Sequence, residues 1–157
     1  ANGLVGAAYR MKSMYGEIIC DGNHSTPAAL RMFFDAKGPH YGIMVSDALM
    51  AKGSPAGSKF IFGGNEIEIY PDGSAHLTST KGLAGSTLKV NEGLKVLVEK
   101  AMVPWDYAIN SCTLNPARLL GIDDRKGALR VGCDADIVVL NDDYSVEMTY
   151  VKGKEAF

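Results

Sequence analysis

Cysteine is scarce: Cys20, Cys112 and Cys133 are three residues, far apart and odd in number. They form neither a disulfide framework nor a CxxC zinc pattern, which suits a reducing cytoplasm, and they read as small buried apolar residues. Histidine is equally rare. His24, His40 and His76 show no HxH or HExxH spacing, so the sequence offers no complete zinc site. Charge is nearly balanced at a formal −2, which gives no electrostatic reason to expect nucleic acid or an anionic membrane as a partner. No apolar run is long enough to span a bilayer, and no basic-then-apolar leader precedes the first strand. Ser25, Ser46 and Ser86 stand in no nucleophile-elbow pattern, which removes a serine hydrolase. Internal repeats and low-complexity tracts are missing as well.

What remains is a chain of 157 residues, 46% of them apolar, enough for one domain with its own core. It begins Ala1-Asn2-Gly3 without methionine, directly in what reads as the middle of a fold, as a fragment or processed chain would. Gly3 to Tyr9 reads as a short helix or loop, and Gly16 to Cys20 as a short buried strand. Ser25 or Thr26 is a natural N-cap with Pro27 at the first helical position. Ala29, Met32, Phe33 and Ala36 then predict one apolar face of a helix running to about Lys37, stopped by Gly38-Pro39.

Gly42 to Val45 lacks polar alternation and predicts a strand buried on both faces, as in parallel sheets. Strand, helix, strand makes a βαβ unit with two polar tips, His24 and Asp47, at one end of a parallel sheet. That end is where α/β folds place chemistry. Read alone, Asp47 is either a catalyst or a turn residue. His24, preceded by Asp21-Gly22-Asn23 and followed by a helix start, either faces an anionic ligand or caps a loop. His40 reads as a solvated loop residue and His76 as a surface strand residue.

Three short runs, 60–62, 66–70 and 75–77, are separated by Gly63-Gly64 and Pro71-Asp72-Gly73 and predict an antiparallel hairpin insertion at about 59–78. Gly82 to Thr87 could cradle a phosphate, but it lacks a P-loop ending, and helix entry capped by Ser86 or Thr87 suits it better. Val90, Leu94, Leu97, Val98 and Ala101 form the next apolar stripe. Pro104-Trp105-Asp106 opens another helix, and Asn115-Pro116-Ala117-Arg118 caps a third. From Gly121, residues 136–140 and 146–151 read as strands of a small β layer. The expected organisation is therefore α/β over 1–120, with a return segment and β strands over 121–157.

Lys126-Gly127-Ala128-Leu129-Arg130-Val131-Gly132-Cys133-Asp134-Ala135-Asp136-Ile137 resembles the closing segment of amidohydrolase-superfamily enzymes. Ile18-Ile19-Cys20-Asp21-Gly22-Asn23-His24, Val45-Ser46-Asp47-Ala48, Phe60-Ile61-Phe62-Gly63-Gly64 and Leu83-Ala84-Gly85-Ser86 are more specific. In that order they resemble the C-terminal part of the N-acetylglucosamine-6-phosphate deacetylase family, over essentially the whole chain. The resemblance implies a (β/α)8 TIM-type barrel with a small β-sandwich, Gly16 to Cys20 being the seventh barrel strand and Gly42 to Val45 the eighth. It implies Asp47 as the catalytic aspartate, a base toward a metal-bound water and then an acid toward the amine. It implies that Asp21, Gly22, Asn23 and His24 bind the sugar phosphate and that Leu83, Ala84 and Gly85 contact substrate. The family's divalent metal, zinc or similar, has its glutamate and two histidine ligands upstream of Ala1, so no metal is expected on this chain alone. An arginine reaching the phosphate across a homodimer interface also lies upstream. The expected partners are a phosphosugar substrate and the missing N-terminal part of the barrel. Other readings are a different amino-sugar deacetylase of the superfamily, or a non-catalytic fragment that complements a separate N-terminal half.

Overall fold

The computed structural model describes residues 3–157; Ala1 and Asn2, where the sequence starts without methionine, lie outside the described residues. A short helix α1 (Leu4–Arg10) leads to strand β1 (Gly16–Ile19), helix α2 (Pro27–Tyr41) and strand β2 (Gly42–Val45). β1 and β2 pair in parallel, with Gly16 opposite Gly42 and Ile19 opposite Val45. The chain after each strand therefore emerges at the same end of the sheet.

Helix α2 starts as its sequence predicts, with the Thr26 hydroxyl accepting from the Ala29 amide and Pro27 in the first turn. Its buried face differs from the expected one. Leu30, Phe33, Phe34 and Lys37 are buried, while Met32 is 65% exposed. The neighbouring stripe wins because it carries the two phenylalanines, which reach the strand starts. A Cβ on Gly42 would lie 2.7 Å from the Phe34 ring, and one on Gly16 2.9 Å from Phe33. Only glycine lets helix and strands approach this closely. Nor do Gly38-Pro39 end the helix. Gly38 takes a left-handed backbone (φ 62°) that breaks it, and one further turn, carrying His40, continues to Tyr41.

Lys37, where the sequence predicts the helix to end, is only 3% exposed. Its ammonium donates to the carbonyls of Ala8 (2.6 Å), Met14 (2.8 Å) and Met11 (3.1 Å) and thereby ties the segment after α1 to α2. Burial holds its pKa below the ordinary 10.5. Lys37→Met keeps the stem and removes the donors, leaving three carbonyls to find water. We expect a loss of about 1–3 kcal/mol in a urea melt; an unchanged midpoint would make the clamp ornamental.

β2 is buried as predicted, apart from a partly open Val45. β1 is only partly buried, against expectation, because two strands leave its outer edge uncovered; Cys20, just past it, is fully buried. Burial, then the nearby Asp21 charge, pushes the Cys20 thiol far up, and burial raises Cys112 to about 11, so both act as inert apolar groups.

Strands β3 (Lys59–Phe62), β4 (Asn65–Ile69) and β5 (Ala75–Leu77) form an antiparallel sheet. Ile67, Ile69, Ala75 and Ala51 make its own small core, against which Leu49 and Ala84 pack. α3 (Val90–Lys95) runs into a wide π-type turn at Val96–Lys100, followed by α4 (Trp105–Cys112) and α5 (Leu114–Leu119). Leu94, Leu97 and Ala101 enter the main core as their spacing predicts, but Val90 is largely exposed. The residue capping α3 is Lys89 and not Ser86 or Thr87, whose groups are engaged elsewhere.

Asn115 does not cap α5 either. It is buried within that helix, and its amide donates to Gly42 O (2.9 Å) and Pro39 O (3.1 Å), which holds the entry to β2. The last sheet comprises β6 (Ile137–Leu140), β7 (Val146–Val151) and a two-residue β8 (Lys154–Glu155) that the sequence did not reveal. Leu140 and Tyr144 pack on the main core, so this layer is joined to it.

Candidate active site

The turn after β1 is built by Asp21. Its Oδ1 accepts the amides of Asn23 and His24 (2.9 Å each), and its Oδ2 lies 2.7 Å from His24 Nδ1. Gly22 sits at φ 82°, the left-handed position such a turn needs. Burial by itself would raise the Asp21 carboxyl, but the His24 amide and ring and the Asn23 amide outweigh it, holding the carboxyl below its ordinary 3.8. The stabilisation is therefore full above that value and fades as pH falls through the lowered one. Because Asp21 accepts from Nδ1–H, Nε2 is the His24 atom left for a ligand.

Asp47 follows β2 with φ 48°, a left-handed backbone unusual for any residue but glycine and tolerated by Asp. Strain of this kind persists where the surroundings fix it. Here they do. Asp47 O accepts from Ser86 N (2.9 Å), and Ser86 O accepts from Leu49 N (2.8 Å). The 83–86 loop is thus a second strand-like support for the Asp47 segment, with Ala48 opposite Ser86.

Asp47 and His24 line one open cleft of about 500 Å³, together with Glu17, Ile18, Ile19, Ser25 and Val45. A narrower groove of about 180 Å³ adjoins it at His24. Asp21, Asn23 and His24 form one wall of that groove, and Asp72–Ser74, Gly85–Leu88, Glu92 and Val96 the rest. Of the residues singled out from sequence, Asp47 and His24 share the cleft, and Asp21, Asn23, His24 and Gly85 share the groove. Leu83 and Ala84 line neither; they bond instead to the hairpin sheet, Leu83 opposite His76 and Ala84 N donating to Ala75 O. Glu17, Asp72, Ser74 and Glu92 were missed, since nothing in their spacing separates them from ordinary strand, turn and helix residues.

Among the described residues, no three His, Cys, Asp or Glu side chains come together to hold a metal ion. Glu17, His24 and Asp47 all line the cleft but do not converge as a metal-binding group, and one His24 nitrogen is committed to Asp21. The residues present therefore do not compose a metal site. Among the described residues, no lysine or arginine lines either cavity.

A carboxylate and a histidine at the carboxyl ends of parallel strands, in a cleft open to small molecules, define an α/β enzyme-like site. The model of the amidohydrolase family matches residues 44–156, and the chain belongs to that family. N-acetylglucosamine-6-phosphate deacetylase of Bacillus subtilis (strain 168) is 39% identical over 155 residues, 99% of this chain but 38% of its own length. An Escherichia coli (strain K12) relative, provisionally named an N-acetylgalactosamine-6-phosphate deacetylase, is 34% identical over 154 residues and 90% covered. The crystal structure of N-acetylglucosamine-6-phosphate deacetylase from Pasteurella multocida superposes with a TM-score of 0.89 at 28% identity, over 98% of this chain and 39% of that one.

Proposed function

We propose that this chain forms the C-terminal part of a (β/α)8 barrel that hydrolyses the N-acetyl group of N-acetylglucosamine 6-phosphate to glucosamine 6-phosphate and acetate. The observation that carries the reading is the shared cleft of Asp47 and His24, set by the parallel register of β1 and β2. β1 and β2 are then the last two barrel strands, and the return segment with β6–β8 belongs to the small sandwich.

Asp47 takes a proton from the attacking water as its oxygen adds to the amide carbonyl carbon. The same proton goes to the departing nitrogen as the carbon–nitrogen bond breaks, which leaves acetic acid, a free amine and an ionised Asp47. The acid's remaining proton then passes to the amine, giving acetate and an ammonium group. The fixed backbone at Asp47 aims the carboxylate without reorganisation. Asp21 orients His24, and with its second proton the ring donates from Nε2 to a phosphate oxygen. Asn23 and Gly85 border the sugar. The divalent metal implied by the family, zinc or similar, is held by side chains outside this chain. The remaining phosphate charge is met by the arginine that the family resemblance implies upstream of Ala1, reaching across a homodimer interface. The 4-epimer, N-acetylgalactosamine 6-phosphate, is a second substrate reading, favoured by the name of the Escherichia coli relative.

The test uses a graft in which residues 1–157 replace the matching segment of the Bacillus subtilis enzyme. His24→Ala in this graft should raise KM for the 6-phosphorylated sugar about ten- to a hundredfold, in keeping with the loss of one charge-assisted bond, and far less for N-acetylglucosamine. Equal losses on both sugars would remove His24 from the phosphate.

A further inference from the structure

The loop before α3, whose Leu83, Ala84 and Gly85 the family resemblance assigns to substrate, sends its bonds in two other directions. Toward the hairpin, Leu77 N donates to Gly82 O (2.8 Å) and Ala84 N to Ala75 O (2.9 Å). Leu83 lies opposite His76, which is half-buried there and not on the open surface that its strand position suggested. Toward β2, Ser86 N donates to Asp47 O (2.9 Å) and Leu49 N to Ser86 O (2.8 Å). The bonding of the hairpin sheet therefore continues through residues 82–86 into a parallel bridge with the segment that carries Asp47.

Two features stiffen this link. Ser86 is 2% exposed, and its hydroxyl oxygen accepts from Leu88 N (2.8 Å), which fixes the exit of the loop toward α3. Gly85 holds a left-handed backbone (φ 61°), and a Cβ there would lie 2.8 Å from Leu49 Cγ and Cδ2. Gly85 borders the groove but has no side chain to offer a ligand; its missing Cβ is what lets the loop close on Leu49. Leu49 and Ala84 both pack on the core of the hairpin, formed by Ala51, Ile67, Ile69 and Ala75. A shift of the loop must then carry Leu49, Ala48 and Asp47 with it or break the main-chain bonds between them. The left-handed backbone of Asp47 (φ 48°) is one that persists only where the surroundings impose it, and this loop is bonded to it directly.

We propose that Gly85 and Ser86 are positioning residues for Asp47, a mount that ties the end of β2 to the hairpin sheet and holds the carboxylate in place. The inference rests on the reading of Asp47 as the group that transfers the proton. It assigns the loop an effect on the chemical step, where a substrate contact would act on binding. Loss of positioning lowers kcat, whereas loss of a contact made equally in ground and transition states raises KM.

The graft tests this with Gly85→Ala, Leu49→Ala and their combination. Gly85→Ala drives a methyl into Leu49 and should lower kcat about ten- to a hundredfold, with KM for N-acetylglucosamine 6-phosphate within about twofold of the parent. Leu49→Ala removes the obstacle, so the double variant should recover most of the lost kcat although Leu49→Ala alone gains none. A raised KM with kcat unchanged would make the loop a substrate contact and overturn the proposal, as would a double variant no faster than Gly85→Ala. Hydrogen exchange of the Leu49 and Ser86 amides separates this inference from the activity. Both amides should be protected in the parent graft, exchange faster in Gly85→Ala and regain protection in the double variant. A graft that shows this pattern without releasing acetate would sink the deacetylase reading and leave the mount standing. Equal exchange in the parent and Gly85→Ala would overturn the mount whatever the activity. Should Gly85→Ala fail to fold, Ser86→Ala decides, since it removes only the Oγ bond to Leu88 N. Faster exchange at Leu49 with lower kcat and steady KM would support the mount, and parent-like exchange and kcat would overturn it.

Discussion

Asp47→Asn in the graft should lower kcat by about 10²–10⁴-fold with KM nearly unchanged. The exchange keeps the shape of the side chain and removes the carboxylate after β2 that takes a proton from water. Asn also tolerates the left-handed backbone that Asp47 adopts, and the bonds of that segment to the 83–86 loop are all main-chain. Folding should therefore be spared, and the melting temperature should stay near that of the parent. Retention of more than about a tenth of kcat would fall outside the range of general-base catalysis and reduce Asp47 to a turn residue.

Much of this arrangement was legible in the sequence because the signals were local. The apolar run 42–45, the Thr26-Pro27 start and the glycine turns of the hairpin each follow from residues a few positions apart. What escaped detection depended on partners far along the chain. The burial of Lys37 was not legible because the three carbonyls that bind it come from residues 8–14. Asn115 looked like a cap because its acceptors, Pro39 and Gly42, lie more than seventy residues earlier. The choice between two adjacent stripes on α2 turned on the glycines at 16 and 42, which no helical period records. At the site, the pairing of His24 with Asp47 followed from strand order. The groove wall at Asp72–Ser74 did not, since it depends on how the hairpin docks.

The second large effect concerns the chain by itself. Its described residues gather no metal-binding set, and its two parallel strands leave one side of the cleft open. On the proposed reading, the metal that would activate water there is held by side chains outside this chain. The isolated 157-residue chain, verified by mass, should release no acetate from N-acetylglucosamine 6-phosphate above background, with or without added zinc. A fragment whose role is only to complement another polypeptide would behave the same way alone, so the isolated chain cannot separate that reading from the catalytic one.

The graft separates them. Acetate release from N-acetylglucosamine 6-phosphate is measured for the folded graft, for its Asp47→Asn form and for the isolated chain under one set of conditions. Turnover by the graft, with loss of at least about a hundredfold in the Asp47→Asn form and none in the isolated chain, is the expected result. A folded graft that releases no acetate, or one in which Asp47→Asn turns over like its parent, would contradict the assignment of this cleft to the chemical step.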